Sequence, residues 1–142
     1  MPTVPSHTEK DPIMMFDIPS YDMLAGAPLA YLGDAILEVI TRRYLLSTGI
    51  TDVGRLNQLA LSYVRATAQS DAVERILPYL TEEEEAVFKR GRNAHGIAIP
   101  KSASASQYRR ATGLEALFGY LSLRGREERM KELFLLGFVP EA

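Results

Sequence analysis

Two apolar runs with helical spacing each carry a mid-run glycine and a single carboxylate, and this pairing restricts what the chain can fold into. The first run is Leu29-Ala30-Tyr31-Leu32-Gly33-Asp34-Ala35-Ile36-Leu37-Glu38. The second is Leu114-Glu115-Ala116-Leu117-Phe118-Gly119-Tyr120-Leu121, with Gly113 just before it. A glycine inside a helix gives up about 1 kcal/mol of propensity against alanine, so each one predicts a neighbour that needs a close approach. The acids add a second demand. A carboxylate among residues that favour burial is costly unless a partner or a metal compensates it. Two helices that each present one acid can bring both to a shared divalent cation such as Mg²⁺, with water and phosphate oxygens completing its shell.

The rest of the body reads as all-α. Leu29, Leu32, Ile36, Ile40 and Tyr44 recur at three- and four-residue steps, with Pro28 suited to a first helical turn and Gly49 to a stop. Asp52 offers a cap for a second helix, striped with Leu56, Leu59, Ala60, Tyr63 and Val64. Ser70-Asp71 offers a cap for a short third helix that Pro78 ends, and Thr81 followed by Glu84 forms a capping box for a fourth. Gly91 to Ser106 reads as a long loop, and two further helices start near Ser106 and Arg126. Glu38 is expected to pair with Arg42 one turn on. No segment shows the period-two alternation of a strand. Residues 1–20, rich in proline and polar types, read as a flexible lead-in to a single domain over 21–142.

Composition removes several chemistries. The chain has no cysteine, which excludes disulfides, thiolate metal sites and cysteine nucleophiles. Its two histidines, His7 and His95, fall in the lead-in and the loop, so no histidine pair or nucleophilic triad is indicated. No apolar run approaches a membrane span, no leader peptide is evident, and a cytoplasmic protein is expected. A net charge of −2 conceals a segregated pattern: Glu82 to Glu85 form an acidic block, and no acid follows until Glu115. Within that gap lie Lys89, Arg90, Arg92, Asn93, Lys101 and Arg109, residue types that grip phosphates and sugar hydroxyls. A solvated surface is the plain alternative; a guide for a polyanion towards the two acids is the reading favoured here.

The segments Leu29-Ala30-Tyr31-Leu32-Gly33-Asp34-Ala35-Ile36, Thr81 to Val87 running into Lys89 to Ala94, Pro100-Lys101, Tyr108-Arg109 and Ala111 to Tyr120 occur in the order of a known family. The chain resembles the ribonuclease III catalytic domain, and most closely its minimal bacterial form, the Mini-ribonuclease III (Mini-III) group. The likeness implies an all-helical, homodimeric endoribonuclease that cuts double-stranded RNA with Mg²⁺, leaves 5′-phosphate and 3′-hydroxyl ends, and has no separate dsRNA-binding domain. It implies ribosomal RNA precursors as substrate. By the same likeness Asp34 is the signature aspartate, Glu115 the metal-binding glutamate, and Tyr31 an aromatic at the dimer interface. Three positions depart from the full-length pattern: Ala27 and Ala30 stand where it has glutamates, and Thr112 where it has an aspartate. That thinner acid set keeps one rival in play, a catalytically silent RNA-binding protein of the same fold associated with ribosomes. A second rival is a purely structural helical dimer with a solvated basic loop, against which the acid-free basic stripe speaks.

Overall fold

A computed structural model describes residues 16–95 and 104–141. Among these residues there is no strand, and six α-helices form the body. They are α1 (Gly26–Ser47), α2 (Val53–Val64), α3 (Ala66–Ile76), α4 (Glu82–Arg92), α5 (Ala105–Leu123) and α6 (Glu127–Phe138). Short 3₁₀ turns at Tyr21–Met23 and Leu77–Tyr79 precede α1 and α4.

The centre of the molecule is α5. From Ala111 to Leu123 every residue is buried except Glu115. A helix that is apolar around its whole circumference must be enclosed on all sides, and here α1, α4, α3 and α6 enclose it. One cluster joins Ile36, Leu37, Val73, Ile76, Leu114, Leu117, Phe118, Leu121, Leu133 and Phe134; a second, smaller one joins Leu29, Ala30, Val87, Ala116, Tyr120 and Leu123. Tyr44, Tyr63, Phe134 and Phe138 close the far end, with Tyr63 and Phe134 stacked at 6.0 Å between centroids.

The two interrupting glycines meet each other. A Cβ on Gly33 would lie 1.6 Å from the carbonyl oxygen of Glu115, and one on Gly119 would lie 2.1 Å from that of Leu29. The backbones of α1 and α5 therefore touch, which only glycine permits on both sides. The close approach expected from the sequence is found, and its partner is the other acid-bearing helix.

Helix ends follow the sequence signals except at two places. Asp52 accepts from the Arg55 backbone at 2.9 Å, and the Thr81–Glu84 box closes with bonds of 3.1 and 2.9 Å. Helix α1 begins at Gly26, two residues earlier than expected, with Pro28 still in its first turn. The larger correction concerns α3, which begins at Ala66 rather than after Ser70-Asp71. Only Arg65, in extended conformation, separates it from α2. Ser70 is buried in mid-helix, because the face Gln69, Ala72, Val73 and Ile76 packs inward and an earlier start gives it another turn of contact.

Glu84 does more than its cap requires. It is 4% exposed, and Arg129 of α6 grips both of its oxygens at 2.8 Å while also donating to the Tyr79 carbonyl at 2.8 Å. The Arg129 hydrogen bonds hold the Glu84 carboxyl below its usual pKa. By contrast the expected Glu38–Arg42 pair forms at 3.4 Å on the open surface, where such pairs contribute little.

Two glycine substitutions separate contact from propensity. Gly33→Ala should destabilise the fold by about 3 kcal/mol or more, since rigid backbone stands in the way of the new methyl. Gly54→Ala in the first turn of α2 meets nothing nearer than 3.5 Å and should stabilise by roughly 0.5 kcal/mol. Urea denaturation of both variants measures the contrast.

Candidate active site

The crossing of α1 over α5 fixes the acids. Asp34 follows the contact glycine on α1, and Glu115 supplies the very carbonyl that Gly33 touches. Their carboxyl groups come side by side. Both stand among apolar neighbours, and the structure leaves Asp34 exposed while Glu115 is partly buried. Burial pushes the Glu115 carboxyl up to about 8, and the neighbouring charge and hydrogen bond of Asp34 add to the rise. At neutral pH, without a cation, Glu115 therefore keeps its proton.

A third side chain belongs here that is absent from the set derived from sequence. Gln69 of α3 is 3% exposed; its amide nitrogen donates to the Val64 carbonyl at 3.2 Å, and the side chain lies close enough to Glu115 to work against the upward shift of that carboxyl. A signal for it does exist in the sequence. Gln69, Ala72, Val73 and Ile76 are spaced i, i+3, i+4 and i+7, so a polar residue stands on an otherwise apolar stripe.

The positions where the family's fuller pattern has acids offer no donor to a cation. Ala30 is buried, and the buried Thr112 spends its hydroxyl on the Tyr108 carbonyl at 3.0 Å. Among the described residues no three His, Cys, Asp or Glu side chains gather as a metal cage. Asp34 and Glu115 are then the two acids here that could hold a cation. A glutamate that burial keeps protonated beside a second carboxylate fits a divalent ion, which would displace that proton and leave most of its shell to water and phosphate.

The basic residues divide into two groups. Arg90 donates to the carbonyls of Leu24 at 2.9 Å and Asp22 at 3.3 Å, tying the segment before α1 to the end of α4. Lys89 pairs with Glu85 at 3.2 Å on the surface. Arg92 lies over the Phe88 ring at 5.9 Å and bonds the Asn93 side chain at 3.2 Å, while Arg109 is exposed on the first turns of α5. Lys101 lies outside the described residues. Arg90 thus has a structural task that its position in a basic stretch does not reveal.

Residues 27–126 match the family described as ribonuclease III domain. A protein of Symbiobacterium thermophilum named Mini-ribonuclease 3 is 50% identical over 105 residues, which is 74% of this chain and 81% of that protein. One of Enterococcus faecalis, with the same name, is 47% identical over 115 residues, covering 80% of this chain and 87% of that protein. A crystal structure of a Fusobacterium nucleatum protein superposes with a TM-score of 0.74 at 33% identity, covering 84% of this chain and 96% of that one.

The raised Glu115 pKa has a consequence for stability. Between its ordinary value of 4.5 and about 8 the folded chain holds a proton that the unfolded chain releases. The stability that this proton contributes is complete below 4.5 and is lost as pH rises through about 8. Metal-free protein should therefore melt at lower temperature as pH increases across that window, and Glu115→Gln should flatten the slope. Thermal melts in a chelating buffer at several pH values measure both.

Proposed function

The chain belongs to the ribonuclease III family, and from that premise we propose that it is a Mg²⁺-dependent endoribonuclease cutting double-stranded RNA, with Asp34 and Glu115 holding the cation. The observation that carries this reading is the side-by-side placement of the two acids by glycine contact, with one of them retaining a proton up to a pH of about 8. When bound, the cation supplies positive charge that makes water more acidic and offsets charge developing on the phosphate. The reaction is hydrolysis: a water oxygen bonds to phosphorus, the bond from phosphorus to the 3′ oxygen breaks, and that oxygen takes a proton. The products are a 5′-phosphate and a 3′-hydroxyl. Asp34, exposed at the rim, faces the incoming strand, and Glu115 sits behind it.

Lys89, Arg92, Asn93, Lys101 and Arg109 are assigned to phosphate and sugar contacts along the duplex, where shape rather than base sequence is read. Arg90 is assigned there with them, although its guanidinium already serves two backbone carbonyls. Precursors of ribosomal RNA are the proposed natural duplex, and the cytoplasm the proposed location. Among the described residues no helix is long and apolar enough to cross a membrane.

A second copy of the chain is the proposed partner along α1. Tyr31 is 84% exposed, and Tyr31, Ala35, Val39 and Leu46 follow one another at helical spacing on the outer face of that helix. Such an apolar strip beside Asp34 suits an isologous contact that sets two acid pairs on one duplex, each cutting one strand.

Incubation with a long RNA duplex, with and without Mg²⁺, tests the enzyme against the silent RNA-binding alternative that Ala30 and Thr112 favour. Cleavage that requires the cation is expected; binding without cleavage would select the alternative. Asp34→Asn and Glu115→Gln should each lower turnover by roughly 100-fold or more, equivalent to about 3 kcal/mol of transition-state stabilisation, with duplex affinity retained. Single-turnover assays beside binding titrations separate the two effects.

Tyr31→Ala tests the dimer. An aromatic anchor in a desolvated pocket contributes ~2 kcal/mol or more to association, so the variant should dissociate at concentrations where wild type is paired. Sedimentation equilibrium reads this directly, and a monomeric wild type at micromolar concentration would remove the interface from the proposal.

A further inference from the structure

Gln69, whose side chain approaches Glu115, carries an unsatisfied atom. Its side-chain oxygen is buried and has no hydrogen-bond partner in the chain, the one such side-chain atom among the described residues. The orientation of the amide follows from its surroundings. The Val64 carbonyl at 3.2 Å can only accept, so the nitrogen must face it, and the oxygen is left over. A buried acceptor without a donor costs roughly 1–3 kcal/mol. A nonpolar residue on this stripe would avoid that cost, as Ala72, Val73 and Ile76 do on the same face.

The position is also anchored unusually well. Val64 ends α2, Arg65 is the single extended link, and Gln69 lies in the second turn of α3. The side chain thus bridges the end of one helix to the acid of another, across the junction between α2 and α3. Of the polar groups that approach it, only Glu115 belongs to the proposed reaction centre.

We propose that Gln69 is a positioning residue of the acid pair, holding Glu115 against Asp34 with its amide nitrogen and offering its free oxygen to a donor in the hydration shell of the bound cation. This rests on the cation reading of Asp34 and Glu115. Outer-shell partners of metal ligands typically change metal affinity by roughly 10–100-fold when removed. A merely structural Gln69 would instead affect folding alone; Gln69→Met removes the orphaned oxygen but also the donor to the Val64 carbonyl, two opposed effects that should leave a folded chain of similar stability.

The experiment measures binding of Mn²⁺ alone by calorimetry, without RNA, to the full chain and to Gln69→Met and Gln69→Ala, with thermal melts alongside. Wild type should bind Mn²⁺, and both variants should melt cooperatively yet bind it roughly tenfold or more weakly. RNA affinity in chelating buffer should be unchanged, so that loss of cleavage is recovered by raising the Mg²⁺ concentration. Wild type that binds no Mn²⁺ and cleaves nothing would refute the cation reading itself. Wild type that binds while either folded variant binds within twofold of it would overturn the role of Gln69 alone. Failure of both variants to fold would return Gln69 to a structural part and equally overturn the proposal.

Discussion

The contact of Gly33 with the backbone of Glu115 is the constraint from which the rest of the arrangement follows. With a Cβ position 1.6 Å from a carbonyl oxygen, no side chain can stand there and the two helix axes approach as closely as backbones allow. Gly119 repeats the contact on the other side against Leu29. Because Asp34 and Glu115 are next to or at these contact points, packing and placement of the acids are one event. Sliding α1 along α5 would break the glycine contacts before it could separate the carboxyls. Elements further out hold the crossing in place: Arg90 ties the start of α1 to the end of α4, and the Glu84–Arg129 pair ties the start of α4 to α6.

Each of those outer ties joins a charged group to something that cannot move away. Arg129 meets a carboxylate whose remaining capacity is taken by the Thr81 backbone, so a buried charge is fully bonded on both sides. That differs in kind from the acid pair. Glu84 is held ionised by its hydrogen bonds, and Glu115 is held protonated by burial and by Asp34. Two glutamates in one small domain are thus tuned in opposite directions, one ionised and holding helices together, the other protonated beside Asp34.

Much of this was legible in the sequence because it depends on local chemistry. Helical periodicity marked the elements, Thr81 and Glu84 announced their cap, and glycine in mid-helix announced a close neighbour. Motif order pointed to the ribonuclease III family, as the match over residues 27–126 bears out. What escaped depends on tertiary contact. The start of α3 was misplaced because Ser70-Asp71 is a good local cap, whereas the burial of Gln69 and Ser70 against α5 outweighs it. Asp34 and Glu115 stand in similar apolar surroundings in the sequence, and only the fold leaves the first exposed and the second partly buried. Arg90 reads as part of a basic stretch, and only the folded chain brings the Leu24 carbonyl within 2.9 Å of it. Gln69 lay on a visible stripe, yet nothing in sequence says which acid it would meet.

The enclosure of α5 has a consequence for how such a protein can diversify. A helix with twelve buried residues around one partly open acid has no free face on which substitutions accumulate harmlessly. Any change beside Glu115 alters the core, so that stretch is effectively locked once the fold exists. Variation is then left to the parts outside that stretch, such as the exposed faces of α1 and of α4. The same chain thus separates a stretch that tolerates little from a surface that tolerates much, and a designer should leave Ala111 to Leu123 untouched.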